Sequence, residues 1–69
     1  MVTTEIIPVG FGSEIVVKTD EQPDSTTKVV TFRGKTKRKT FRGEVSHHDA
    51  QRWANDLILP VIHGAKDGI

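Results

Sequence analysis

Between Lys28 and Arg42 the chain reads KVVTFRGKTKRKTFR, with seven Lys and Arg residues and no acid. Cations at this density bind polyanions, and an Arg can hold a phosphate or a guanine edge through two hydrogen bonds at once. They alternate with Val29, Val30, Thr31, Phe32, Thr40 and Phe41, the pattern of two strands joined by a turn rather than of a solvated tail. Upstream the sign reverses: Glu5, Glu14, Asp20, Glu21 and Asp24 stand against the single cation Lys18. The formal net charge of +1 therefore conceals an acidic first part and a basic hairpin. A rigid cationic sheet surface implies a polyanionic partner, and nucleic acid is the commonest one. The alternative partner is an acidic protein surface. The structural alternative is a solvated hairpin whose Lys and Arg residues guard its edges against aggregation.

Other constellations carry less. His47, His48 and His63 invite a metal reading, but adjacent helical residues point about 100° apart, and His63 lies beyond Pro60, so no metal is expected. The chain has no Cys and no Tyr. Gly34-Lys35-Thr36 matches the end of a phosphate-binding loop, but no glycine precedes it from Val29 to Arg33 and the context is a hairpin rather than a strand-to-helix turn. No cofactor and no enzymatic activity are expected. Trp53, Phe32 and Phe41 are assigned to the core, which leaves no aromatic for base stacking and favours duplex over single-stranded nucleic acid.

The elements that must hold the basic surface follow from the pattern. Sixty-nine residues make a single small domain, 1–69, near the lower limit for a self-sufficient core. Only 35% of the residues are apolar, so a ligand, a partner or a homodimer contact would add needed burial. Phe11, Phe32, Phe41 and Trp53 are the large core candidates. Without cysteines a cytoplasmic or intravirion setting fits best. The longest apolar run, Leu57 to Ile62, is too short to span a bilayer, so no membrane partner is expected.

Residues 1–4 read as a frayed end. Residues 5–9 form a short edge strand if they pair at all, because Pro8 cannot donate to a ladder. Residues 13–19 predict a strand with Ile15 and Val17 on one face and Glu14, Val16 and Lys18 on the other. The polar stretch 20–27 predicts a mobile loop. Residues 28–33 and 37–45 predict a strand pair turning around Gly34-Lys35-Thr36. A register centred on Lys35 and Thr36 sets Val30 opposite Phe41 and Arg33 opposite Arg38, a repulsive pair that an anion would relieve. Val30, Phe32, Phe41 and Val45 then share the core face, and Thr31, Arg33, Arg38, Thr40 and Arg42 the solvent face. Ser46 predicts a helix N-cap with Asp49 in the first turn. Ala50, Trp53, Ala54, Leu57, Ile58 and Val61 make an apolar stripe at helical spacing. Pro60 should end or kink the helix near Ile58, with Gly64 as a C-cap if it continues. The fold class is α+β: an antiparallel sheet of three strands, or four with the N-terminal edge strand, packed against one C-terminal helix.

The stretch TFRGKTKRKTFRGEVSHHDAQRWANDLI, residues 31–58, resembles the arm-type DNA-binding domain at the N-terminus of phage tyrosine integrases, and the related AP2-like domains. Gly34-Lys35 matches the family's turn, Lys37-Arg38-Lys39-Thr40-Phe41 its second basic strand, Ser46 its cap, and Ala50 and Trp53 its helix. The resemblance implies a sheet laid in the major groove of duplex DNA, with Arg33, Lys35, Lys37, Arg38, Thr40 and Arg42 facing it. It implies a binding module of phage, mobile-element or bacterial type and no recombinase chemistry, since no tyrosine is present.

Overall fold

A computed structural model describes residues 1–10 and 12–64. Four strands, β1 (Val2–Gly10), β2 (Ser13–Gln22), β3 (Ser25–Phe32) and β4 (Lys35–Arg42), form one antiparallel sheet in the order β1-β2-β3-β4. The helix α1 (Ser46–Ile62) follows and lies mainly over β3 and β4. The α+β class holds, and the sheet has the four strands of the second alternative, with the N-terminal strand paired at its edge. Among the described residues no helix is long and apolar enough to cross a membrane. Phe11, expected in the core, lies outside the described residues.

Two tight turns set the registers, and both differ from expectation. Arg33 and Gly34 adopt φ values of 51° and 80°, the two consecutive left-handed residues of a type I′ turn, whose twist matches that of the flanking strands. Phe32 therefore pairs with Lys35, Val30 with Lys37 and Thr26 with Phe41, not Val30 with Phe41. Because the slip is an even number of residues, the side chains that remain within β3 and β4 keep their expected faces. The Arg33–Arg38 opposition does not arise. At the other end Pro23 and Asp24 join Gln22 to Ser25 directly. Residues 20–27, expected to be a mobile loop, instead lie in β2, the turn and β3. Nor do residues 2–4 fray: β1 begins at Val2, pairing with Asp20.

Met1 and Glu21 exchange two backbone bonds, of 2.9 and 3.1 Å. Antiparallel pairs alternate between bonded and unbonded, so in this register the backbone groups of Thr3, Glu5 and Ile7 face β2 while those of Val2, Thr4, Ile6 and Pro8 face outward. Pro8 thus stands where a missing N–H costs the sheet nothing.

The core is one layer thick. Ile15, Val17, Val30 and Phe32 from the sheet meet Ala54, Ile58 and Val61 from the helix, with Ile7, Val9, Trp53 and Leu57 packed around them. The buried line on the helix is Ser46, Ala50, Ala54, Ile58 and Val61. Trp53, expected in the centre of the core, sits on the flank instead, half-buried and edge-on to Phe41 with centroids 6.1 Å apart. Small residues at 50 and 54 let the helix approach the sheet closely, and a ring as large as indole fits only beside that line. Val45, assigned to the core face, lies after the strand and is 62% exposed. The helix runs past Pro60 to Ile62. Its unbonded carbonyl belongs to the exposed Asp56, where water can satisfy it. Gly64, at φ 104°, closes the end as foreseen.

Ser46 is not the cap. Val45 holds that position with no side-chain cap bond, and the Ser46 hydroxyl turns down to Thr26 Oγ1, 3.2 Å away, both residues buried. Beside them Lys28, 5% exposed, donates through Nζ to Thr19 Oγ1 (2.7 Å) and Gln51 Oε1 (3.2 Å). A polar layer therefore sits under the first turns of α1. Ser46→Ala is expected to cost about 1–2 kcal/mol by stranding the Thr26 hydroxyl, whereas pairing it with Thr26→Val should restore much of the loss. Urea unfolding of the single and double variants checks this; equal or additive losses would contradict the hydroxyl pairing.

Candidate nucleic-acid interface

The helix covers one face of the sheet and leaves the other open. Registers across all four strands set its rows. Ile6, Val16, Thr31 and Thr36 form one; Thr4, Lys18, Val29 and Arg38 the next; Val2, Asp20, Thr27 and Thr40 a third. Gln22, Ser25 and Arg42 continue the series at the end. The acidic first part of the sequence becomes the β1–β2 half of this face, with Glu14 and Asp20. The β3–β4 half carries Arg38 and Arg42 and no carboxylate.

Strand alternation divides the six expected interface residues. Arg38, Thr40 and Arg42 point to the open face, as foreseen. Lys35 and Lys37 point to the helix side of β4, together with Lys39, and remain exposed there. Arg33, expected on the solvent face of a strand, occupies the turn. Its guanidinium lies 5.3 Å from the Phe32 ring centroid and 3.5 Å from Ser13 Oγ. The six do not form one flat patch. They make a cationic ridge along an edge strand, with Arg on one slope and Lys on the other.

Hydroxyl pairs link β3 to β4 across the open face: Thr27 with Thr40 at 2.9 Å and Thr31 with Thr36 at 3.2 Å. Each hydroxyl keeps acceptor capacity beyond its partner. Among the described residues no carboxylate lies in salt-bridge range of Arg38 or Arg42; the one contact in that range found there is between Glu21 Oε1 and His47 Nδ1, 3.1 Å apart. One open-face cation lies outside the six expected interface residues. Lys18 stands in the same row as Arg38, which its parity with Val16 could have shown. Lys28, though part of the basic run, is buried and unavailable to a partner. No three His, Asp or Glu side chains come together among the described residues.

Comparison with family models, with curated proteins and with solved structures yields no match for this chain.

Proposed function

We propose that the β3–β4 hairpin binds duplex DNA, with β4 as the contacting ridge. The observation that carries this reading is the acid-free β3–β4 half of the open face, where Arg38 and Arg42 stand outside salt-bridge range of every described carboxylate. A two-stranded ribbon is of the size the major groove admits, and Arg there can reach phosphates or guanine edges. Thr27, Thr31, Thr36 and Thr40 offer short polar contacts beside them. Residues 31–58 also resemble the arm-type integrase domains, in which a sheet docks in this manner. An acidic protein surface is the second reading, favoured by Glu14 and Asp20 on the same face, which would repel a phosphate backbone extending over β2.

The test is fluorescence anisotropy with a mixed-sequence duplex across a salt series. With about four or five phosphates contacted, affinity should fall ~10²-fold or more between about 50 and 200 mM salt. Arg38→Ala with Arg42→Ala should reduce the logarithmic slope by about one per lost contact and leave the circular dichroism spectrum unchanged. No binding at the lowest salt, or binding indifferent to salt, would exclude duplex DNA.

A further inference from the structure

A four-stranded open sheet has two edges, and here they are chemically opposite. Along β4 the side chains are Lys35, Thr36, Lys37, Arg38, Lys39, Thr40, Phe41 and Arg42. Lined against a second β4 they would set cation against cation, which blocks edge-to-edge pairing. Along β1, Val2–Gly10, the only charge is Glu5, and Val2 and Ile6 are 67% and 57% exposed. The outward N–H and C=O groups of Val2, Thr4 and Ile6 have no strand beside them in the sheet. Against the six cations of residues 33–42, the β1 edge has only Glu5, on the helix side, and Pro8, near one end.

We propose that β1 pairs with β1 of a second copy of this chain, antiparallel about a two-fold axis through Thr4, joining the two sheets into one. This does not depend on DNA binding. Two-fold pairing of outward-facing residues allows few registers. With Thr4 opposite Thr4 of the second copy, Val2 lies opposite Ile6 and Ile6 opposite Val2, so that every outward N–H meets an outward C=O. On the open face this sets Val2 and Ile6 side by side across the junction, an apolar contact formed at both ends of the ladder. On the helix side Glu5 falls opposite Thr3, and the two Glu5 carboxylates are not directly opposed. Pro8 stands past the last pair. Moving the axis one residue toward the C-terminal end of β1, to Glu5, would oppose Glu5 with Glu5 and bring Pro8 against the N–H of Val2, which it could accept but not reciprocate. Moving it the other way, to Thr3, shortens the ladder. The strand is thus self-complementary in one register. The occupant is a second copy rather than an unrelated strand because the same short segment supplies both sides of each match.

The test is sedimentation equilibrium of the untagged chain from micromolar to millimolar concentration, with three variants. The wild type should approach twice 7.7 kDa. Thr4→Pro removes the central outward N–H but, like Pro8, spends no bond to β2; it should stay folded and sediment as a monomer. Ile6→Lys sets an ammonium beside Val2 and should weaken association at least tenfold without touching the core. Arg38→Ala with Arg42→Ala, which impairs the proposed DNA contact, should leave the dimer intact. A monomeric wild type overturns the inference. So does a dimer that survives both Thr4→Pro and Ile6→Lys. Growth to larger assemblies would mean head-to-tail β1–β4 pairing and would overturn it too. If Thr4→Pro does not fold, Ile6→Lys alone decides.

Discussion

Phe32→Ala is expected to unfold the domain. Phe32 is 3% exposed and is the only buried aromatic among the described residues, at the end of β3 where the Arg33-Gly34 turn reverses the chain. Truncating a buried Phe costs about 3–5 kcal/mol through lost transfer energy and the cavity left behind. A domain of this size holds about 3–10 kcal/mol in total, so one substitution consumes much or all of it. Trp53→Ala should cost clearly less, because the indole is half-buried on the flank and its loss opens a notch rather than a cavity. Thermal unfolding followed by far-ultraviolet circular dichroism separates the two. A Trp53 variant less stable than the Phe32 variant would put the centre of the core on the β4 side, at odds with the burial of Ile15, Val17 and Val30.

Ala54→Glu should be nearly as severe, while Asn55→Glu one position along should be silent. Ala54 is 1% exposed within the cluster of Ile15, Val17, Val30, Phe32, Ile58 and Val61. A carboxylate there would be set among aliphatic and aromatic side chains, and a buried charge without a partner costs about 3–5 kcal/mol unless the helix lifts away. Asn55 faces water, where substitutions usually stay within about 0.5 kcal/mol. Denaturant midpoints of the pair fix the rotational phase of α1. Comparable losses at 54 and 55 would mean the helix is turned away from the orientation that buries Ala54.

Much of this arrangement was legible in residue order. The alternation of Ile15 and Val17, and of Val30 and Phe32, points correctly to their burial, and the helical spacing from Ala50 to Val61 finds the contact line to within one flank. Hairpin registers are harder. A type I′ turn favours Asn-Gly, and Arg33 in the first position disguises it, so that the expected register centres two residues downstream. Strand ends rich in Thr, Asp and Glu resemble a loop because their apolar content is low, yet β2 and β3 pair through backbone groups that composition does not report. Ser46 has the right residue type and position for a cap; a tertiary partner, Thr26, outcompetes the local one. The expected interface residues belong to the right hairpin, but the earlier turn puts Arg33 at the corner instead of on the face.

The order of strands in the sheet is the order of strands in the chain, and that has a consequence for how the molecule comes into being. Every strand pairing is between sequence neighbours joined by a short connection, so loop closure is cheap and hairpins can form on the microsecond scale before any distant contact is made. The apolar cover arrives last. Until residues 46–62 are available, the sheet presents Ile15, Val17, Val30 and Phe32 to water on one side, a bare β surface of the kind that associates with other chains. The cations of β4 lie along one border of that surface during this interval, and their mutual repulsion acts then as a folding safeguard. A sheet assembled without α1 would have the registers of the native protein and would be a prime candidate for aggregation along its unguarded β1 side.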